Sequence, residues 1–230
     1  MTSLPARYGT TAVIPTYSAG PLAEARVLRV GTSGFSFEDW KGTVYPGRLP
    51  QAGMFDYYQR ELGFDACELN FTFYRQPSPS TMSSLARRAH PGFTFTVKCH
   101  REMTHDLWDE DGSFHSRRES HAIFLRGLAP LAESGKLGCV LAQFPMRFKP
   151  GDASFDHIRR TKEWLCGLPL AVEFRHRDWC TDEAEEFLRS EEIGCCAVDE
   201  PPLPGLVPFA PTVTSPIGYV RLHGRNRNWF

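Results

Sequence analysis

The chain has 230 residues, 41% of them apolar, which is enough to bury one sizeable core and too few for two ordinary β/α domains. Its 26 basic and 27 acidic residues leave a net charge of −1, which excludes a generally basic nucleic-acid binder and offers no overall attraction to anionic membrane. No apolar run approaches the ~18 residues needed to cross a bilayer, so no membrane partner is expected.

Residues 1–26 carry Pro5, Pro15, Gly20 and Pro21 among Ser, Thr and Ala without an apolar stretch. They read as a disordered or loosely packed leader rather than a signal peptide. From 27 to 230 the pattern is that of a single domain. Strand-like runs occur at 27–34, 66–71, 93–100, 138–145, 170–175, 194–200 and 217–224. Such spacing is too long for hairpins and fits βαβ units.

The connections read as helices over 51–62, 79–90, 117–134, 154–166 and 181–190. Ser78 and Thr181 are expected N-caps, with Pro79 at a first helical position. Pro130 is expected to kink the third helix. The sixth connection, 200–216, contains six prolines and forms no regular helix.

Alternating β/α units with nearly continuous apolar strands predict a parallel sheet covered by helices. A TIM-type (β/α) barrel is preferred to an open doubly wound sheet, because Gly31-Thr-Ser-Gly-Phe35 lacks the spacing of a phosphate-binding glycine motif. Seven strands are visible where a closed barrel has eight, so the eighth unit is expected to be missing or truncated.

The seven cysteines include no C-x-x-C pair, and most sit in or beside apolar runs. They read as free thiols in a reducing, cytoplasmic compartment. Cys67 and Cys99 are expected to face the helices.

Side-chain alternation along each strand gives the most information. It puts Glu68 and Asn70 on one face of strand two, Lys98 on strand three and Gln143 on strand four. It aligns Glu173 with Arg175 on strand five, Ala197 with Asp199 on strand six, and Tyr219, Arg221 and His223 on strand seven. In a parallel barrel these C-terminal ends meet at one mouth. Burying about six charges there costs several kcal/mol each, so a site is preferred to a purely structural ion-pair network.

Glu68, Glu173, Asp199 and His223 are the candidate catalytic acids and bases. Lys98, Arg175 and Arg221 are candidates for binding a phosphate or carboxylate. Three cations already balance three carboxylates, which argues against a protein-bound metal, and no motif specifies a cofactor.

Aromatics and arginines on the following loops, notably Tyr74, Arg75 and Trp179, are candidate walls for a planar or sugar ligand. The charged segment 101–116, which includes His105, is a candidate lid.

Gly31-Thr-Ser-Gly-Phe35, Tyr45-Pro46, E-L-N-F-T-F-Y-R at 68–75, Val97-Lys98, His105, Q-F-P at 143–145, V-E-F-R-H at 172–176, Trp179, Asp199 and Y-V-R-L-H-G-R-N at 219–226 occur in that order. On these motifs the chain, over about 28–230, resembles the YecE-like family, domain-of-unknown-function family seventy-two. The resemblance implies a TIM-barrel-like fold and an eighth unit ending in an Asn-Asn-His-type strand, which is not found here. It implies no particular activity.

The expected function is therefore an enzyme or enzyme-like site for a small polar or anionic ligand. The alternatives are nucleic-acid binding or metal-dependent nucleic-acid processing, which would draw on Arg75, Arg177, Arg225 and Arg227 with Tyr74, Trp179 and Trp229, and a non-catalytic binding module.

Overall fold

The computed structural model describes residues 27–226, so the expected leader over 1–26 and positions 227–230 lie outside the described residues. Seven strands follow one another in the sheet: β1 (Gly31–Ser33), β2 (Ala66–Leu69), β3 (Thr94–Lys98), β4 (Leu137–Gln143), β5 (Leu170–Glu173), β6 (Gly194–Asp199) and β7 (Tyr219–Leu222). Their spatial order is their chain order, and every neighbouring pair is parallel.

The crossovers after the first five strands are α1 (Gln51–Arg60), α2 (Pro79–Arg88), α3 (Arg118–Glu133), α4 (Asp152–Trp164) and α5 (Asp182–Ser190). Local chemistry sets their starts. Ser78 Oγ accepts from the Thr81 N–H at 3.2 Å, with Pro79 at the opening of α2. Thr181 Oγ1 accepts from the Ala184 N–H at 3.2 Å and opens α5. Pro130 lies inside α3. The proline-rich connection between β6 and β7 contains no helix, as its missing N–H groups require.

Each strand is shorter than its apolar run. The first loses most: Val27, Leu28 and Val30 are exposed, and pairing begins only at Gly31 opposite Ala66. β1 and β7 each have one partner and are not paired with each other. Among the described residues the sheet is thus curled but not a closed barrel, because no strand bridges those two edges. No helix among the described residues is long and apolar enough to cross a membrane.

The core has two compartments. The larger lies between sheet and helices and includes Phe55, Tyr58, Phe95, Phe124, Leu128, Phe144 and Phe148, with Cys67 and Cys99 on this side. The smaller fills the concave side with Cys139, Leu141, Ala171, Cys196 and Val198, packed by Ile217 and Tyr219. All seven cysteines are free thiols.

α3 meets the segment before α2 so closely that a Cβ on Gly127 would lie 2.7 Å from Pro77 Cγ and closer still to the Pro77 carbonyl. Alanine is the better helix former by about 1 kcal/mol, but a clash with backbone outweighs it. Gly127→Ala should lower stability by about 1–3 kcal/mol in urea unfolding rather than raise it.

Candidate functional site

Register decides which side chains share the concave face. Ser33 is level with Glu68, Glu68 with Thr96, and Lys98 with Leu141. Gln143 is level with Glu173, and Val198 with Arg221. Glu68, Lys98, Gln143, Glu173 and Arg221 therefore point into one layer above the inner apolar cluster. Arg175 and His223, just past their strands, join it.

Strand six corrects the sequence reading. Cys196 and Val198 belong to the inner cluster. The next residue in phase is Glu200, not Asp199, and alternation shifted by one position exchanges the two faces. Asp199 is level with Leu222, which is 76% exposed, and its carboxylate holds Arg225 at 2.9 and 3.1 Å on the outer side. The run 194–200 is apolar in both phases until its final Asp-Glu, so nothing in it marked the inward face. Ser33 and the Tyr219 hydroxyl also enter the layer, though neither was a candidate.

The layer is a chain of alternating charges centred on fully buried Glu173. Arg221 Nη1 meets Glu173 Oε2 at 2.5 Å, and Arg221 Nη2 meets Glu68 Oε1 at 2.8 Å. Arg175 Nη2 meets Glu173 Oε1 at 2.7 Å, and Arg175 Nη1 meets Glu200 Oε2 at 2.6 Å. Glu68 also accepts from Ser33 Oγ at 2.9 Å and from Tyr219 Oη at 2.5 Å. Burial works against the Arg221 charge, but Glu173 and Glu68 outweigh it and hold its pKa above the usual arginine value. Burial, reinforced by the Glu68 charge, keeps the Tyr219 hydroxyl protonated and donating.

Three groups are held away from their ordinary protonation. Burial, with the charges of Arg175 and Arg221, pushes the His223 pKa down. Its Nε2 therefore accepts from both guanidiniums, each at 3.3 Å. Burial pushes Glu200 up, against the pull of Arg175. Burial and Arg221 push Lys98 down, opposed by Glu173 and Glu68.

Lys98 Nζ donates to Gln143 Oε1 at 2.6 Å and sits 4.5 Å over the Phe73 ring. The edge of that ring also meets His105, whose pKa is pushed down to about 4 by burial and then by Lys98.

A cleft of about 340 Å³ opens at these strand ends. Gln143, Arg175, Glu200 and His223 supply its polar wall, while Pro145, Met146, Pro201 and Leu206 supply an apolar one.

The remaining candidates are scattered. Asn70 follows β2 with a buried Oδ1 that has no hydrogen-bond partner among the described residues. Tyr74 is 77% exposed, and Arg75 beside it is also exposed. Trp179 is not a ligand wall. It is buried, stacked on Phe174 at 4.0 Å between centroids, and its Nε1 donates to the Phe148 carbonyl. A lone Trp on a loop carries no signal that separates a stacking platform from a rim plug.

Residues 29–230 match the model of the family described as Protein of unknown function DUF72, and the chain belongs to that family. It is 28% identical over 207 residues to the UPF0759 protein YunF of Bacillus subtilis (strain 168), covering 87% of this chain and 71% of YunF. The crystal structure of a DUF72 family protein from Thermotoga maritima MSB8 superposes with a TM-score of 0.79 at 45% identity, over 87% of this chain and 76% of that one. A DUF72 family protein from Enterococcus faecalis V583 gives 0.72 at 25% identity, over 88% and 72%.

The two strand-end acids make a direct contrast. Removing a buried partner strands an opposite charge, so Glu173→Ala should cost about 3–5 kcal/mol in chemical unfolding. Asp199→Ala, which breaks a pair with an Arg225 side chain 73% exposed, should cost under about 1 kcal/mol.

Proposed function

We propose that the strand-end cleft of this DUF72 protein is an enzyme-like site for a small polar molecule. In this reading Glu200 and His223 handle protons, while Gln143, Lys98 and Arg175 orient the ligand. The curled sheet is read as the greater part of a TIM-type barrel, a fold whose sites gather at the C-terminal strand ends.

The observation that carries the proposal is the state of Glu200. One oxygen is held by Arg175 at 2.6 Å, and the other, Oε1, is buried with no hydrogen-bond partner among the described residues. The same side chain lines the cleft and has a raised pKa. A carboxyl group whose pKa burial raises, with an acceptor position open, is suited to general acid–base work. A purely structural ion pair has no need of that combination.

The ligand class follows from what is already engaged. Both terminal nitrogens of Arg175 and of Arg221 hold protein carboxylates. They supply fixed positive charge behind the cleft rather than open forks for a phosphate. A polar molecule with a carbon body that fits against Pro145, Met146, Pro201 and Leu206 is favoured over a phosphate-rich one. A nucleic-acid track is less favoured, since Trp179 is buried and Arg225 is paired with Asp199.

The folded chain holds the Glu200 proton to a higher pH than the unfolded chain does, whose value is near 4.5. This group therefore withdraws stability as pH rises from about that value through its raised pKa. Glu200→Gln should flatten that part of the stability–pH curve. In ligand-observed NMR with a panel of polyols, hydroxy acids and keto acids, compounds bound by the parent chain should bind with an affinity that differs between pH 5 and pH 8. In Glu200→Gln that pH dependence should disappear. Equal binding by both chains at both pH values would defeat the acid–base reading.

A further inference from the structure

Only five of the chain's 26 cationic side chains are lysines. Four of them have ordinary outlets. Lys41 pairs with Glu38 at 2.8 Å and Lys149 with Asp178 at 3.7 Å, while Lys136 and Lys162 donate to the carbonyls of His90 and Glu191.

Lys98 differs from all of them. It lies at the end of β3 in the polar layer, yet no carboxylate among the described residues is within ion-pair distance of its Nζ. The three acids of that layer are engaged by Arg221 and Arg175. The contacts of Nζ are the neutral Gln143 amide oxygen and the Phe73 ring. Gln143 itself lines the cleft, so the amine stands one hydrogen bond behind the cleft wall.

We propose that Lys98 is a carbonyl-capturing amine and that the ligand of the cleft is an aldehyde or a ketone. This deepens the cleft reading above and rests on it. The Lys98 Nζ lone pair attacks the carbonyl carbon, and the C=O π pair moves to oxygen, which takes up a proton. The carbinolamine then loses its hydroxyl as water, with a second proton supplied by Glu200 or by solvent, and the nitrogen gives up both of its protons in turn, one as the carbinolamine becomes neutral and one from the iminium. Carbonyl compound and amine become imine and water, with no change in oxidation state.

The surroundings favour the free amine that this step needs. Burial and the guanidiniums of Arg221 and Arg175 oppose the ammonium form, against the pull of Glu173 and Glu68. The Phe73 face and the Gln143 oxygen also favour the charged form but are neutral groups. His105, at the edge of the same ring, is itself held neutral and adds no counter-charge. Desolvation beside other cations is a recognised way to make a lysine nucleophilic near neutral pH.

The test is reductive trapping on the full chain. Pyruvate, glyoxylate and dihydroxyacetone serve as probes with sodium cyanoborohydride at pH 7, and adducts are located by intact mass and peptide mapping. At least one probe should modify Lys98 tenfold or more faster than Lys41, Lys136, Lys149 or Lys162, which act as internal controls. The Lys98 rate should reach half its maximum at a lower pH than theirs. Lys98→Arg and Lys98→Gln should lose the adduct, and whichever keeps a cooperative thermal transition is the control for folding.

Adducts spread evenly over the lysines, or an undiminished adduct in a folded Lys98 variant, would overturn the proposal. If the NMR panel still finds pH-dependent, Glu200-sensitive ligands in that case, the cleft reading stands and only the covalent step falls. A Lys98 adduct whose formation Glu200→Gln leaves unchanged would keep the amine and remove Glu200 as its proton donor.

Discussion

Glu173 is the group on which the concave side of this protein depends. A carboxylate with no solvent exposure has several kcal/mol of lost hydration to offset, and both of its oxygens face a guanidinium. Arg221 and Arg175 are buried in turn, and each recruits a further acid, Glu68 on one side and Glu200 on the other. The series from Tyr219 through Glu68, Arg221, Glu173 and Arg175 to Glu200 is therefore one electrostatic unit rather than a set of independent pairs. It also has a mechanical role. Among the described residues β7 is not paired with β1 or β2, yet Arg221 reaches Ser33 and Glu68 and Tyr219 reaches Glu68, so side chains span the gap that strand pairing leaves.

That arrangement divides the layer into two kinds of group. Glu173, Glu68 and Arg221 hold one another across the concave side. Glu200 and His223 line the cleft and Lys98 lies one hydrogen bond behind it, and in each of them burial works against the charged form. The guanidiniums keep His223 neutral and weaken the ammonium of Lys98, while burial outweighs Arg175 at Glu200. The structural half of the network thus biases the protonation of the half that lines or backs the cleft.

Much of this was legible along the chain. Spacing and turn residues located the helices to within a few positions, because Ser78-Pro79 and Thr181 act through contacts made within one turn. Period-two alternation brought Glu68, Lys98, Gln143, Glu173 and Arg221 together, because the polar residues at the end of each of those strands fall in a single phase. It failed at strand six, where Cys195, Cys196, Ala197 and Val198 are apolar on both faces and the acid pair at the end offers two phases. Loop composition did not show that Trp179 is buried, because its stacking on Phe174 and Phe148 comes from residues on other elements.

The sequence by itself determined the β/α order, the parallel sheet, the two-faced strands and the family, since these rest on local propensity, on period and on motifs that neighbouring residues set. Only the tertiary structure decided that Glu200 rather than Asp199 enters the layer, that the two arginines are engaged by protein acids, and that no acid among the described residues pairs with Lys98. Those outcomes depend on register between strands and on distances of a few ångströms between side chains up to 153 residues apart. A one-residue shift of phase, invisible in an apolar run, is enough to exchange one acid for its neighbour.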